Sequence, residues 1–388
     1  MTKPVKILCR GKIYIREMAK QSPKEGVITM NIPLTTNKFP GVIKNFSPTW
    51  FASVMGTGIF AVTSKYYACY WSLLNNVAVF LWIINIVLFL VLIVPWTLRW
   101  IIFYDNALRD LKHPVTGQFY ATLPIACLVL AADFLLLGSG YIGAALVVKI
   151  AQGLWITGGV LSLATAFIIP ILNVLNTITI EDINPAWFMP PVSLIVVPIA
   201  GAKLIPYWPQ SFQKSLLILN YASWGSGFFL FMLIAVICIY RFFVVPPLPG
   251  SLIPTIWIYL GPIGAGTMSL LNLGSVSAPF LGSLVTPTLN LFGLLYWSFG
   301  FWWLIAAGVI TIMYILKKNL PYALSWWAFT FPLGAYTGAT YLISVLFQSE
   351  AVRLFGFLCY WLLAFCWIMV FSNTFVRVCT GALDLKEP

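Results

Sequence analysis

Residues 73–98 read LLNNVAVFLWIINIVLFLVLIVPWTL, a stretch without a single Asp, Glu, Lys, Arg or His. Wound as an α-helix it would extend about 39 Å at 1.5 Å per residue, more than the ~30 Å of hydrocarbon in a bilayer. Working outward, the same kind of run recurs from residue 47 to the C-terminal end. Apolar runs bounded by polar or Gly/Pro breaks predict helices over 47–64, 73–98, 118–137, 141–169, 187–205, 213–243, 252–274, 288–316, 321–346 and 350–376. Composition agrees: of 388 residues 61% are apolar and 8% charged, which suits lipid as the solvent. In lipid each segment must satisfy its own backbone groups, which leaves helices as the spanning structure. The expected fold class is an all-α integral membrane protein, its ten helices arranged as five hairpins. The chain divides into a basic tail over 1–44, a ten-helix domain over 45–380 and a short tail over 381–388.

The net charge of +12 is concentrated in that first tail, where nine Lys and Arg from Lys3 to Lys44 face only Glu17 and Glu25. It carries no nucleic-acid fold signature, so no nucleic-acid partner is expected. A cytoplasmic segment leaning on anionic lipid fits better. No apolar signal-peptide core precedes the first span. With both termini cytoplasmic, seventeen of 22 basic residues lie inside, and Lys65, Lys203, Lys214 and Arg353 lie outside. The loop over 170–186 carries Glu181 and Asp182 but no base, so the positive-inside pattern is obeyed only in part. Seven cysteines are scattered without a Cys-x-x-Cys pair, and His113 is the only histidine. Neither a metal site nor a cofactor is expected from that set.

Odd and even spans differ. Each odd span carries proline in its body: Pro48, Pro124, Pro190 with Pro191 and Pro198, Pro262, and Pro332. Even spans have proline near their ends or not at all. Proline removes a donor and clashes with the preceding turn, so kinks or breaks are expected in the odd helices. Small residues form stripes on the same spans: Ser53, Gly56 and Thr57; Ser193, Ala200 and Gly201; Gly261, Gly264 and Ala265; Gly334, Ala335 and Gly338. Their commonest use in membranes is a helix-packing seam. Five such helices alternating with five bulky ones also fit an inner layer around a narrow central pore.

Three motifs are recognisable: FSPTWFASVMGTG over 46–58, His113-Pro114-Val115 with FYATLP over 119–124, and SWWAFTFP over 325–332. Together they resemble the tellurite-resistance/dicarboxylate transporter family, which includes a bacterial tellurite-resistance membrane protein, fungal malate and sulfite transporters and plant slow anion channels. The resemblance covers about residues 41–380. It implies ten helices in five hairpins with the odd helices around a pore, a homotrimer in the cell membrane, and small anions as cargo. It also implies that Phe331, before the ninth-span proline, plugs that pore.

Reactive constellations are missing from the spans. Their interiors hold only Asp133 and Lys149 as ionisable groups, and GPIGAG over 261–266 lies within an apolar span with no strand before it. An enzyme is therefore not expected. Freed backbone N–H groups, hydroxyls and helix N-termini can pass an anion without a fixed charge, which suits a channel or facilitator. A proton-coupled carrier for malate-like dicarboxylates and a sulfite or tellurite exporter are the alternatives, with Asp133 the acidic candidate for a relay. Asp133 and Lys149, in neighbouring spans, can instead form an ion pair. Lys203 can draw anions to the outer mouth or simply snorkel, and His113 is expected to organise its loop.

Overall fold

The computed structural model describes residues 7–9, 12–14, 38–176 and 178–381. Most of the basic tail over 1–44, and residues 382–388 of the C-terminal tail, lie outside the described residues. Within the segment Met1–Lys38, strands Ile7–Cys9 and Lys12–Tyr14 pair antiparallel, with Leu8 opposite Ile13. The larger unit, Phe39–Pro388, is helical.

Ten long helices follow one another in this unit: α1 (Phe51–Tyr67), α2 (Leu73–Ile102), α3 (Thr122–Leu137), α4 (Ala144–Leu175) and α5 (Met189–Leu204), then α6 (Gln210–Val244), α7 (Leu260–Leu281), α8 (Val285–Leu316), α9 (Phe331–Leu346) and α10 (Glu350–Thr380). Among the described residues, eight helical stretches are long and apolar enough to cross a membrane. The two that fall short are α1 and α9, of 17 and 16 residues. Packing sorts the helices into two layers. The apolar windows of α3, α5 and α7 are 83–94% buried, whereas those of α2, α4, α6, α8 and α10 are 22–44% buried. Residues such as Val91, Phe167, Leu233 and Trp302 stand on the exposed faces of the even helices, as a lipid-facing layer requires.

Each odd helix packs on the even helix that follows it, giving five pairs. The odd helices also pack in a closed ring: α1 on α3, α3 on α5, α5 on α7, α7 on α9, and α9 back on α1. Tryptophans tie the outer layer to this ring. Trp155 Nε1 donates to Val197 O at 3.0 Å, Trp224 Nε1 to Gly266 O at 3.1 Å and Trp297 Nε1 to Thr340 Oγ1 at 2.9 Å. Trp367 Nε1 on α10 reaches back to Thr57 Oγ1 on α1 at 3.0 Å, closing the circle. In each case an even helix bonds the next odd helix round.

The prolines act differently from the sequence expectation. Every odd helix is preceded by a tight 3-10 segment: Pro48–Trp50, Thr116–Ala121, Pro185–Phe188, Gly250–Tyr259 and Leu324–Phe329. Pro124, Pro190, Pro191, Pro262 and Pro332 sit in the first turn of the α-helix that follows, and Pro48 starts its 3-10 turn. Each proline's missing donor thus falls where the hydrogen-bond ladder changes from 3-10 to α, close to the helix start that proline tolerates. Pro198 is the exception, lying inside α5. The even helices run on past proline instead, α2 beyond Pro95 to Ile102 and α4 beyond Pro170 to Leu175.

Candidate functional site

Most of the small residues turn out to face neighbouring helices. A methyl group added at Gly264 would meet the backbone of Ala335 and Tyr336, and one at Gly56 would meet Thr330 and Trp327. Gly334 lies against Ile59, and Gly338 against Met268 at 3.1 Å from such a methyl. These glycines let the ring close tightly. Ser53 Oγ and Ser193 Oγ are turned onto their own helices, donating to Trp50 O and Pro190 O. Thr57 faces α10 through its bond from Trp367. The ring is thus shaped by these side chains, and its interior is lined by others.

Three cavities are lined by residues of this ring and of the 3-10 segments that lead into its helices. The first, about 30 Å³, is a recess lined by Ser47, Thr49, Thr116, Phe119, Ser251 and Ser325 with Val115, Leu252 and Ala323. Thr49, Phe119 and Ser325 also line the second, about 20 Å³, together with Met55, Val192, Ile258, Gly261, Trp327, Phe331 and Pro332. A third, also about 20 Å³, is lined by Ile59, Val62, Tyr66, Leu128, Val129, Leu136, Val196, Lys203, Met268, Phe331 and Ala335 among others. Each of the last two has room for about one water. Phe331 is the only residue common to them. Its ring is buried, 4% exposed, and stands in van der Waals contact with the space beside Gly261, where a methyl would lie 3.9 Å from Cε1. Absence of a side chain at Gly261 gives the ring its place.

Direction follows from the linings. The recess and second cavity are walled by the 3-10 segments and first turns of the odd helices, and the third by later turns of α1, α3, α5 and α7 with Phe331 and Ala335, one turn apart, on α9. All five odd helices therefore run the same way, their N-terminal ends on one side of Phe331 and their C-terminal ends on the other. Aligned helix dipoles make the first side electropositive and the second electronegative. Hydroxyls stitch the N-terminal side together across the ring: Thr122 Oγ1 donates to Pro48 O at 2.7 Å and Ser325 Oγ to Ser251 O at 2.5 Å.

The anticipated ion pair between Asp133 and Lys149 does not form. Asp133 on α3 is buried and its Oδ2 accepts from Asn85 Nδ2 on α2 at 3.0 Å, while Lys149 is exposed on α4. Nothing obliges a lysine on an outer-layer helix to fold inward when its ammonium can stay at the surface. Asp133 also abuts Gly58 of α1 and lines neither cavity beside Phe331. Lys203, half-buried at the end of α5, lines the third cavity. His113 organises its loop, Nδ1 accepting from the backbone N–H groups of Val115 and Thr116 at 3.3 and 3.2 Å. Pro124 O packs against Gly158 of α4, so that proline too belongs to the seam.

Several residues here escaped the sequence reading. Thr49 lies within the first motif but is ordinary in type, and Tyr66 falls two residues beyond the first span as read from the sequence, in a helix that runs on to Tyr67. Arg99, 2% exposed, donates to Lys44 O at 3.1 Å, to Phe46 O at 2.6 Å and to the Asp110 carboxylate. It clamps the chain leading into α1 beside the recess, whereas in the sequence it counted only as one more inside charge.

A ring of parallel helices enclosing cavities, wrapped by apolar helices, marks a multi-pass membrane protein. The chain belongs to the voltage-dependent anion channel family (SLAC1), whose model matches residues 45–375. It is 42% identical to an uncharacterized transporter of Methanocaldococcus jannaschii over 88% of this chain and 95% of that one. It is 28% identical to a sulfite efflux pump of Trichophyton rubrum, covering 88% of this chain and 93% of the pump. A malic acid transport protein of Schizosaccharomyces pombe is 22% identical over 92% of this chain and 83% of its own length. Anion transport follows from the family, and these relatives are transporters rather than enzymes.

Proposed function

We propose that the chain is a gated anion facilitator in which ten helices, as five hairpins, cross the cell membrane with both termini cytoplasmic. On this reading the odd helices enclose a pore, Phe331 closes it, and three subunits assemble side by side through their even helices. One observation carries the gate: Phe331 alone is shared by the two cavities that would form one passage if its ring moved. An aromatic ring across a bore too narrow for hydrated ions closes it sterically and by excluding water. Pro48, Pro124, Pro190, Pro262 and Pro332 shape the bore by setting where each odd helix begins, and Gly261 makes room for the ring.

Asp133 faces Asn85 and lines neither cavity, which favours a facilitator over a carrier with a proton relay in the path. Among cargoes, a compact inorganic anion such as hydrogen sulfite, the singly charged form of sulfite, suits two cavities of about 20 Å³ better than a dicarboxylate. The sulfite pump is also the more similar of the two relatives named for a cargo.

The experiment is anion flux in proteoliposomes. Phe331→Ala is expected to raise flux on the order of tenfold or more, with an ohmic dependence on voltage and no requirement for a proton gradient. A core ring without a gating role would instead cost about 3–5 kcal/mol of stability and leave flux unchanged. Wild-type flux through a well-folded Phe331→Ala protein would sink the assignment.

A further inference from the structure

The third cavity is apolar except for two side chains, Lys203 of α5 and Tyr66 of α1. Both line this one cavity, although they come from helices that are not neighbours in the ring. Neither the Lys203 ammonium nor the Tyr66 hydroxyl has a hydrogen-bond or ion-pair partner among the described residues. Lys65, one residue before Tyr66, shows the contrast: its Nζ donates to Asn75 Oδ1 at 2.6 Å. The Tyr66 ring is fixed by stacking on Tyr341, with centroids 4.9 Å apart and planes 13° off parallel. A rotor held in this way presents its hydroxyl at little further loss of freedom.

Electrostatics explains why a cation belongs at this end. An anion on the N-terminal side of Phe331 meets the positive ends of five helix dipoles. Beyond the ring it meets their negative ends, where an apolar cavity would reject it. One ammonium in that cavity reverses the local field, and it lacks a countercharge of its own.

We propose that Lys203 and Tyr66 form an anion-binding subsite beyond Phe331 that takes a compact, singly charged anion. Nζ supplies the countercharge and the phenol one hydrogen bond. Valence follows from the charge balance: one ammonium neutralises one negative charge, and a dianion would leave its second charge in apolar surroundings. The subsite rests on reading the ring as an anion path, and the test separates the two.

Phe331→Ala protein in liposomes, with nitrate or sulfate supplied from the Lys203 side, gives a flux that can be saturated. Adding Lys203→Gln is expected to raise the half-saturating nitrate concentration about tenfold and to abolish the preference for nitrate over sulfate, since a charge-assisted bond is lost. Lys203→Arg should retain both. Tyr66→Phe, which removes only a hydroxyl and is the safer variant for folding, should raise the half-saturating concentration about threefold. Nitrate saturation unchanged in both Lys203→Gln and Tyr66→Phe would overturn the subsite while leaving the path intact. Absence of any nitrate flux in the Phe331→Ala protein would overturn the path and the subsite with it.

Discussion

Asp133 is held by a single neutral partner. Its Oδ2 accepts from Asn85, and Oδ1 of both residues has no partner among the described residues. Removing the only donor should therefore hurt more than removing the acid. Asn85→Leu is expected to destabilise the protein by about 1–3 kcal/mol, the penalty of an orphaned buried acceptor, whereas Asp133→Asn should be close to neutral. Unfolding temperatures in detergent check this. Loss of gradient-driven uptake in a stable Asp133→Asn protein would instead restore the relay reading. Residue identities of this kind were only half legible in the chain. A buried acid in an apolar run announces that it needs a partner. Which partner it finds depends on how α2 and α3 rotate against each other, and Asn85 looked no different from Asn75 or Asn76.

Among the elements, α7 and α9 meet at a backbone-to-backbone approach that only glycine allows. A methyl on Gly264 would land on the Ala335 and Tyr336 main chain, which cannot yield without parting the helices. A methyl on Gly261, one turn earlier, would find ordinary contacts at 3.8–3.9 Å with Pro332 and Phe331. Gly264→Ala should thus lower the yield of folded protein severely, by several kcal/mol if unfolding can be measured. Gly261→Ala should fold normally and reduce flux, because its methyl narrows the space beside the Phe331 ring. Comparing folded yield with flux for this pair separates seam from path. Both glycines stood in one stripe in the sequence, and helical periodicity could not say which of them faced the neighbouring helix. The same holds for the prolines. Their recurrence marked the odd helices, yet their place at 3-10-to-α junctions depends on where each helix begins, the least legible feature of a single sequence.

For the whole molecule, the number of crossings decides whether the ring can be a passage. Eight stretches qualify as spans by length and hydropathy, and α1 and α9 fall short. Each, however, continues the 3-10 segment before it. Pro48–Trp50 and α1 together rise about 31 Å, and Leu324–Phe329 with α9 about 36 Å, at roughly 2.0 Å per 3-10 residue and 1.5 Å per α residue. Both values reach the ~30 Å of hydrocarbon, so the composite elements are long enough to cross. Their small, hydroxyl-bearing sequences depress hydropathy for the reason that they are buried in the ring and never meet lipid. Single cysteines at Asn45 and Cys69 bracket α1, and at Lys317 and Gln348 they bracket α9. With Cys9 and Cys379 replaced by serine, and Cys69 too wherever it is not the position under test, a membrane-impermeant maleimide should label Cys69 and Gln348→Cys in intact cells. Asn45→Cys and Lys317→Cys should react only after the cells are opened. That pattern requires α1 and α9 to cross. If both positions of either pair react from the same side, the corresponding helix stops within the membrane, the ring is open at that point, and Phe331 guards no continuous route.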